Sequence, residues 1–350
     1  MQHRPNVIPR PFWSQLPPAA GAAVMATGIV SVGLHLTGYA VLSGILLVLA
    51  AALWVLLAAD FALRLLRDRS RWRHEADSPP ALTAVAATCV LGTRFSLLDW
   101  QGLSETLLVI AVLAWPGLLL VVVRHWTPRM PGAVFLACVA TQGLAVLGAT
   151  LSAGLGVEWL GYAAVVVFWF GIVMYVAAFT RFDLRQVFTG AGDHWVAGGA
   201  LAISALAAAK LVLAGRAGDL WNSDVTGVLR GMCGVLLALD VAWYVVLAVA
   251  EVLRPRFTYD VRRWSTVFPM GMTAVAMLSV ATAVEASWLK GPGQVLLWIA
   301  VAVWLGTAVG AVTSTERVRS SARARGRSGK RVRSGERGRS RERVRSRERR

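Results

Sequence analysis

A proline inside an apolar run is the first residue of this sequence that demands a chemical reason. Residues 264–278 read WSTVFPMGMTAVAML. Pro269 removes a backbone donor and disfavours helix at the residue before it. Within a membrane, the carbonyl so freed needs another partner or a water-filled cavity. A kink there would swing Phe268 off the line of a straight helix. Phe268, Gly271, Val275 and Ser279 fall on one stripe of that helix, and Gly21 and Gly28 lie two turns apart on an earlier one. The chemistry suggested is passage and occlusion. The competing reading is an ordinary kink relieved by neighbouring helices.

Charges at membrane depth come next. Arg94 and Lys210 lie in otherwise apolar runs, with Arg216 six residues beyond Lys210. A charge buried in a bilayer costs several kcal/mol unless it pairs or meets water, and positive charge along a pore selects anions. Snorkelling to the interface competes for Lys210 and Arg216. Arg94, on a run of small residues, reads as facing a pathway. Asp60, Glu105 and Asp240 fall in runs of large aliphatics, where pairing with an Arg or a hydroxyl is the leading role. Asp240 alone lies well inside its run, so proton coupling is the alternative there. His35 could titrate near neutrality.

Enzyme readings find little support. No Asp-rich diphosphate motif, paired intramembrane His, G-x-S-x-G or P-loop is present, so no catalytic residue is assigned. Without an ATP site, any transport is passive or gradient-driven. Cys89, Cys138 and Cys233 form no CxxC and read as small buried hydrophobes. No disulfide, metal or cofactor is expected.

The elements that must position these residues follow from composition. The 350 residues are 56% hydrophobic and 16% charged, whereas soluble domains are about one quarter charged. This is an integral membrane protein. Fifteen Trp against five Tyr suit the membrane interface. Ten apolar stretches approach the length that crosses a bilayer: 17–38, 40–64, 81–98, 103–124, 132–153, 158–180, 194–215, 226–253, 264–286 and 293–313. The first is too long for a signal-peptide core. Even-numbered connections and the N-terminal arm are rich in Arg, as in Arg67, Arg69, Arg71 and Arg73, while odd-numbered ones are nearly bare. Basic loops stay in the cytoplasm, so ten spans with both termini inside satisfy the pattern. Odd connections are short, which predicts five helical hairpins. Odd spans are rich in Gly, Ala, Ser and Thr, even ones in Leu, Val and Trp. Small residues permit close approach or leave a lumen, and large aliphatics suit lipid. The odd spans should form an inner layer and the even ones an outer layer.

Three regions result: a cytoplasmic arm 1–16, a ten-helix membrane domain 17–313 and a tail 314–350. From residue 316 the tail holds sixteen Lys and Arg against four Glu, most of the chain's net charge of +17. It lacks apolar periodicity and is expected to be disordered. Association with anionic lipid is its expected role, at about 1 kcal/mol per basic residue at most. Nucleic acid is the less favoured partner.

MATGIVSVGL (25–34) and WSTVFPMGMTAVA (264–276) resemble the tellurite-resistance and dicarboxylate transporter family, which includes malate permeases, sulfite efflux pumps and slow-type anion channels. The resemblance covers roughly residues 12–313. It implies a quasi-fivefold ring of hairpins around a central pore, with odd helices lining the pore and protomers forming a homotrimer. It implies Phe268 as the pore gate, aimed by Pro269, with Gly28 beside it. Gly92, Gly148 and Gly271 are placed with Gly28 and Pro269 as pore-lining or kink positions. Arg94 and Lys210 would attract anions. Cargo would be dicarboxylates such as malate, or sulfite- or tellurite-type oxyanions, and the location a bacterial inner membrane. The alternative from another class is a non-transporting scaffold that recruits a partner through its basic tail. The basic tail is not placed by the resemblance.

Overall fold

The structure, a computed structural model, describes residues 20–67, 79–255, 259–314 and 316. The N-terminal arm and the basic tail from residue 317 lie outside the described residues, as does the expectation that the tail is disordered. Among the described residues ten main helices run in order: α1 (Gly21–Leu36), α2 (Ala40–Arg67), α3 (Thr83–Ser96), α4 (Gln101–Arg124), α5 (Leu136–Leu155), α6 (Glu158–Phe179), α7 (Val196–Gly218), α8 (Ser223–Leu253), α9 (Trp264–Ala283) and α10, within Ser287–Ser314. The fold is all-α, and the ten expected spans correspond to these helices one by one. Eight described helices are long and apolar enough to cross a membrane; α1 and α3 are shorter. By contacts the chain divides within α10 into Met1–Trp304 and Leu305–Arg350. The first unit holds α1 to α9 and the start of α10; the described part of the second is helical as far as residue 314.

Each odd helix turns tightly into the next even one, and each of these five turns contains one residue at positive φ: Gly38, Asp99, Gly156, Asp219 and Glu285. A left-handed residue is the usual way to end a helix and reverse the chain. Glu285 is the least suited to this, and its carboxylate lies 2.8 Å from Arg216 and 3.8 Å from Arg230.

The two layers are visible in burial. Within the spans of α5, α7 and α9, between 89% and 100% of the most apolar window is buried, against 11% to 28% for α2, α4, α6, α8 and α10. Nearly all of α1 and α3 is buried too. Large exposed aliphatics such as Val48, Leu113 and Val166 crowd the even helices, as a lipid-facing layer requires. Among the inner helices, α1 packs on α3, α3 on α5, α5 on α7 and α7 on α9, and α9 packs back on α1.

A polar repeat ties the layers together. Thr27, Thr88, Thr141, Ser204 and Thr273, one per odd helix, each place a hydroxyl 2.7–3.1 Å from the carbonyl four residues earlier. Three also accept an indole N–H from an even helix: Trp54 to Thr88 (2.8 Å), Trp115 to Thr141 (3.0 Å) and Trp304 to Thr27 (3.0 Å). A buried N–H has no water to bond at this depth, so each Trp is fixed in rotation by its hydroxyl. At α8–α9 the partner is different: the fully buried Asp240 takes the indole's place, with Oδ1 3.1 Å from the Thr273 hydroxyl and Oδ2 unpartnered.

This repeat carries a stability prediction. Thr27→Val keeps the shape and strands the Trp304 N–H. The loss expected is about 1 kcal/mol, the scale of interhelical hydrogen bonds in membranes, read as a melting temperature lower by a few degrees in detergent. Adding Trp304→Phe should recover part of it. Additive losses in the double variant would sink the coupling.

Candidate functional site

The hydroxyl repeat sets a common register. Two residues beyond each hydroxyl stand Ile29, Val90, Gly143, Leu206 and Val275, and all five line one narrow space between the helices, the inner cavity. Every inner helix therefore contributes the same face to one space. Further along, the same cavity is lined by Leu36, Thr93, Val146, Lys210 and Ser279. It shares Leu36, Lys210 and Ser279 with a second, wider space, at the C-terminal ends of α1, α7 and α9, which Lys290 and Gln294 of α10 also line. The two spaces meet at Lys210.

The inner cavity is chemically sparse. The Thr93 hydroxyl is committed to the Cys89 carbonyl at 2.9 Å. Lys210 and Ser279 make no hydrogen bond or ion pair among the described residues. One ammonium and one free hydroxyl face an otherwise apolar wall.

Phe268 is buried, and Met272, one turn beyond it, lines the cavity. It stands seven residues before Val275, on the same face. Counting seven back from the other lining residues gives Ala22, Thr83, Leu136 and Gly199, all buried. Helix α9 stays helical through Pro269. The proline ring is accommodated by α7, because a Cβ on Gly199 would fall 2.8 Å from Pro269 Cγ. That glycine fixes how closely the proline-bearing turn of α9 approaches its neighbour.

The glycines read from the sequence serve helix contacts. A Cβ on Gly28 would lie 2.8 Å from Val90, a cavity residue, and one on Gly271 would lie 2.9 Å from Ile29, another. Gly92 faces Leu147 and Leu107, and Gly148 faces Ala164; neither is among the residues lining the cavity. The glycine that does line it, Gly143, was not singled out by the sequence reading.

Lys210 and Arg94 are placed differently. Arg94 is buried behind the cavity wall, with Nε and Nη2 donating to Ser43 Oγ of α2 at 3.1 and 2.9 Å and Nη1 unpartnered. Ser43 is itself locked to Ser31 of α1 by reciprocal bonds of 2.7 Å. Arg94 thus acts on the cavity only through its field, while Lys210 touches it. The sequence reading missed Lys290 and Gln294, which lie at the start of α10 and gain meaning only from the second cavity. It also missed the Trp–hydroxyl repeat, whose signal was a Trp inside successive even helices.

The profile of the voltage-dependent anion channel family matches residues 15–312. This bears out the resemblance carried by MATGIVSVGL and WSTVFPMGMTAVA. No curated protein matches the chain.

Proposed function

The chain belongs to the voltage-dependent anion channel family, and from that premise we propose that small anions cross the membrane between its five odd-numbered helices, past a gate formed by Phe268. Membership makes it a multi-pass membrane protein of the anion channel and transport class. The observation that carries the pathway is the cavity to which every odd helix contributes an equivalent residue, with Lys210 at its neck. Phe268 supports a gate because it is buried one turn before Met272, which lines the cavity, and two turns before Val275 on the same face. The cycle of contacts among the odd helices supports the ring of hairpins.

The lining also bears on cargo. An apolar wall replaces little of an ion's hydration shell, and the idealised Born cost grows with the square of the charge, so a dianion loses about four times what a monoanion loses. A single ammonium offsets one charge. Singly charged anions fit best, including protonated oxyanions of the sulfite or tellurite type; malate fits better as its monoanion. In proteoliposomes nitrate should therefore move faster than chloride, and both faster than the malate dianion. A malate dianion flux equal to that of nitrate would overturn this ranking.

The remaining parts of the proposal concern setting. The Arg-rich even connections support cytoplasmic termini, and a bacterial inner membrane is the setting that goes with this reading. The apolar outer faces of the even helices suit lipid and the contacts of a homotrimer. The basic tail suits anionic lipid headgroups.

A further inference from the structure

We propose that the second cavity is a binding site for small dianions, such as a four-carbon dicarboxylate or sulfate, which it holds at the mouth and does not pass on. The blocking part rests on the reading of the inner cavity as the anion path. Two ammonium groups from different helices, Lys210 of α7 and Lys290 of α10, line this one space. Neither makes an ion pair among the described residues, and the carboxylate nearest Lys290 in sequence, Glu285, is engaged by Arg216 and Arg230. Two unpaired like charges on one wall are relieved by a ligand carrying two opposite ones.

Other placements of these lysines explain less. A cation at a helix C-terminus is favourable by itself, which could account for Lys210. Lys290 lies in the first turns of its helix, directly after the 3₁₀ turn Ser287–Leu289, where the dipole disfavours a cation and favours an anion. The hydrogen bonds agree. Thr37 and Thr282 already donate to the Gly33 and Leu278 carbonyls. The Ser279 hydroxyl and the Gln294 amide remain as donors facing the same space. Beyond Lys210 the path keeps one ammonium and loses the other. A dianion moving inward would leave Lys290 behind and enter the apolar stretch with one charge unmatched, whereas a monoanion needs only Lys210.

The test is calorimetric titration of the purified full-length protein with succinate and, separately, with sulfate. Saturable binding is expected, weakened tenfold or more by Lys290→Gln, while nitrate affinity changes less. Lys290 is exposed, so the variant should fold, and its melting temperature checks that. Succinate binding without sulfate binding would restrict the site to dicarboxylates. Absence of saturable binding to either, or equal weakening for nitrate and succinate, would overturn the site. In proteoliposomes, succinate on the vestibule side should reduce nitrate flux, and Lys290→Gln should raise the half-blocking concentration, each variant read against its own unblocked flux. Succinate uptake as fast as nitrate uptake would overturn the block. The two readings fail separately: binding without any anion flux keeps the site and removes the pathway, and flux without succinate binding does the reverse.

Discussion

Phe268→Ala should raise anion flux in proteoliposomes at least tenfold. A tenfold change in rate needs only about 1.4 kcal/mol from the barrier, and a ring that closes a narrow apolar path contributes more than that. The same substitution separates a gate from a packing residue. Truncating a core phenylalanine typically costs about 3–5 kcal/mol of stability. If Phe268 merely packs, the variant melts much lower and conducts no better. If it closes the path, the space it vacates opens onto the cavity lined by Met272 and Val275, and flux rises. Phe268→Leu keeps most of the volume and should fall between wild type and the alanine variant in flux. Equal flux for all three would remove Phe268 from the pathway.

The second large effect is expected at Lys210. Lys210→Gln should lower nitrate flux by at least tenfold in low salt, and Lys210→Arg should retain most of it. Two charges about 4 Å apart interact by about 4 kcal/mol at an effective dielectric of 20. Even a fraction of that, surviving the relaxation of water around the ion, changes anion occupancy at the neck more than tenfold. Arg94→Gln is the control. Its guanidinium is tied to Ser43 behind the wall, so flux should fall only a few-fold. An effect of Arg94→Gln larger than that of Lys210→Gln would show that the neck cation is misassigned.

That contrast marks the boundary of what the sequence discloses. Hydropathy at bilayer length and side-chain size are written directly in a stretch such as GILLVLAAALWVLLAA. The ten helices, their hairpin pairing and the two layers were therefore legible. The orientation of each helix about its axis was not. Gly28, Gly92, Gly148 and Gly271 all lie in small-residue helices, and spacing within one helix cannot tell a cavity face from a neighbour contact. The side chains that decide it, Val90, Leu147, Ala164 and Ile29, belong to other helices. Arg94 and Lys210 were alike as cations within apolar runs, and the partner that separates them, Ser43, lies on another hairpin. A legible clue was passed over. Trp54, Trp115 and Trp304 recur in even helices because each needs a hydroxyl on an inner helix, and aligning Thr27, Thr88 and Thr141 on that need gives the register that finds Gly143. Asp240, the carboxyl in place of an indole beside Thr273, is where the repeat departs from its own rule.

The central claim is that anions pass between the odd helices. It is tested most directly by placing a cysteine at Leu206, in a protein freed of its own three cysteines and carrying Phe268→Ala, and adding a small anionic thiol reagent during nitrate flux. The account predicts that labelling at 206 stops the flux and that nitrate slows the labelling, while a cysteine at the exposed Val176 of α6 is labelled without effect. Undiminished nitrate flux through protein shown by mass spectrometry to be labelled at 206 would contradict it.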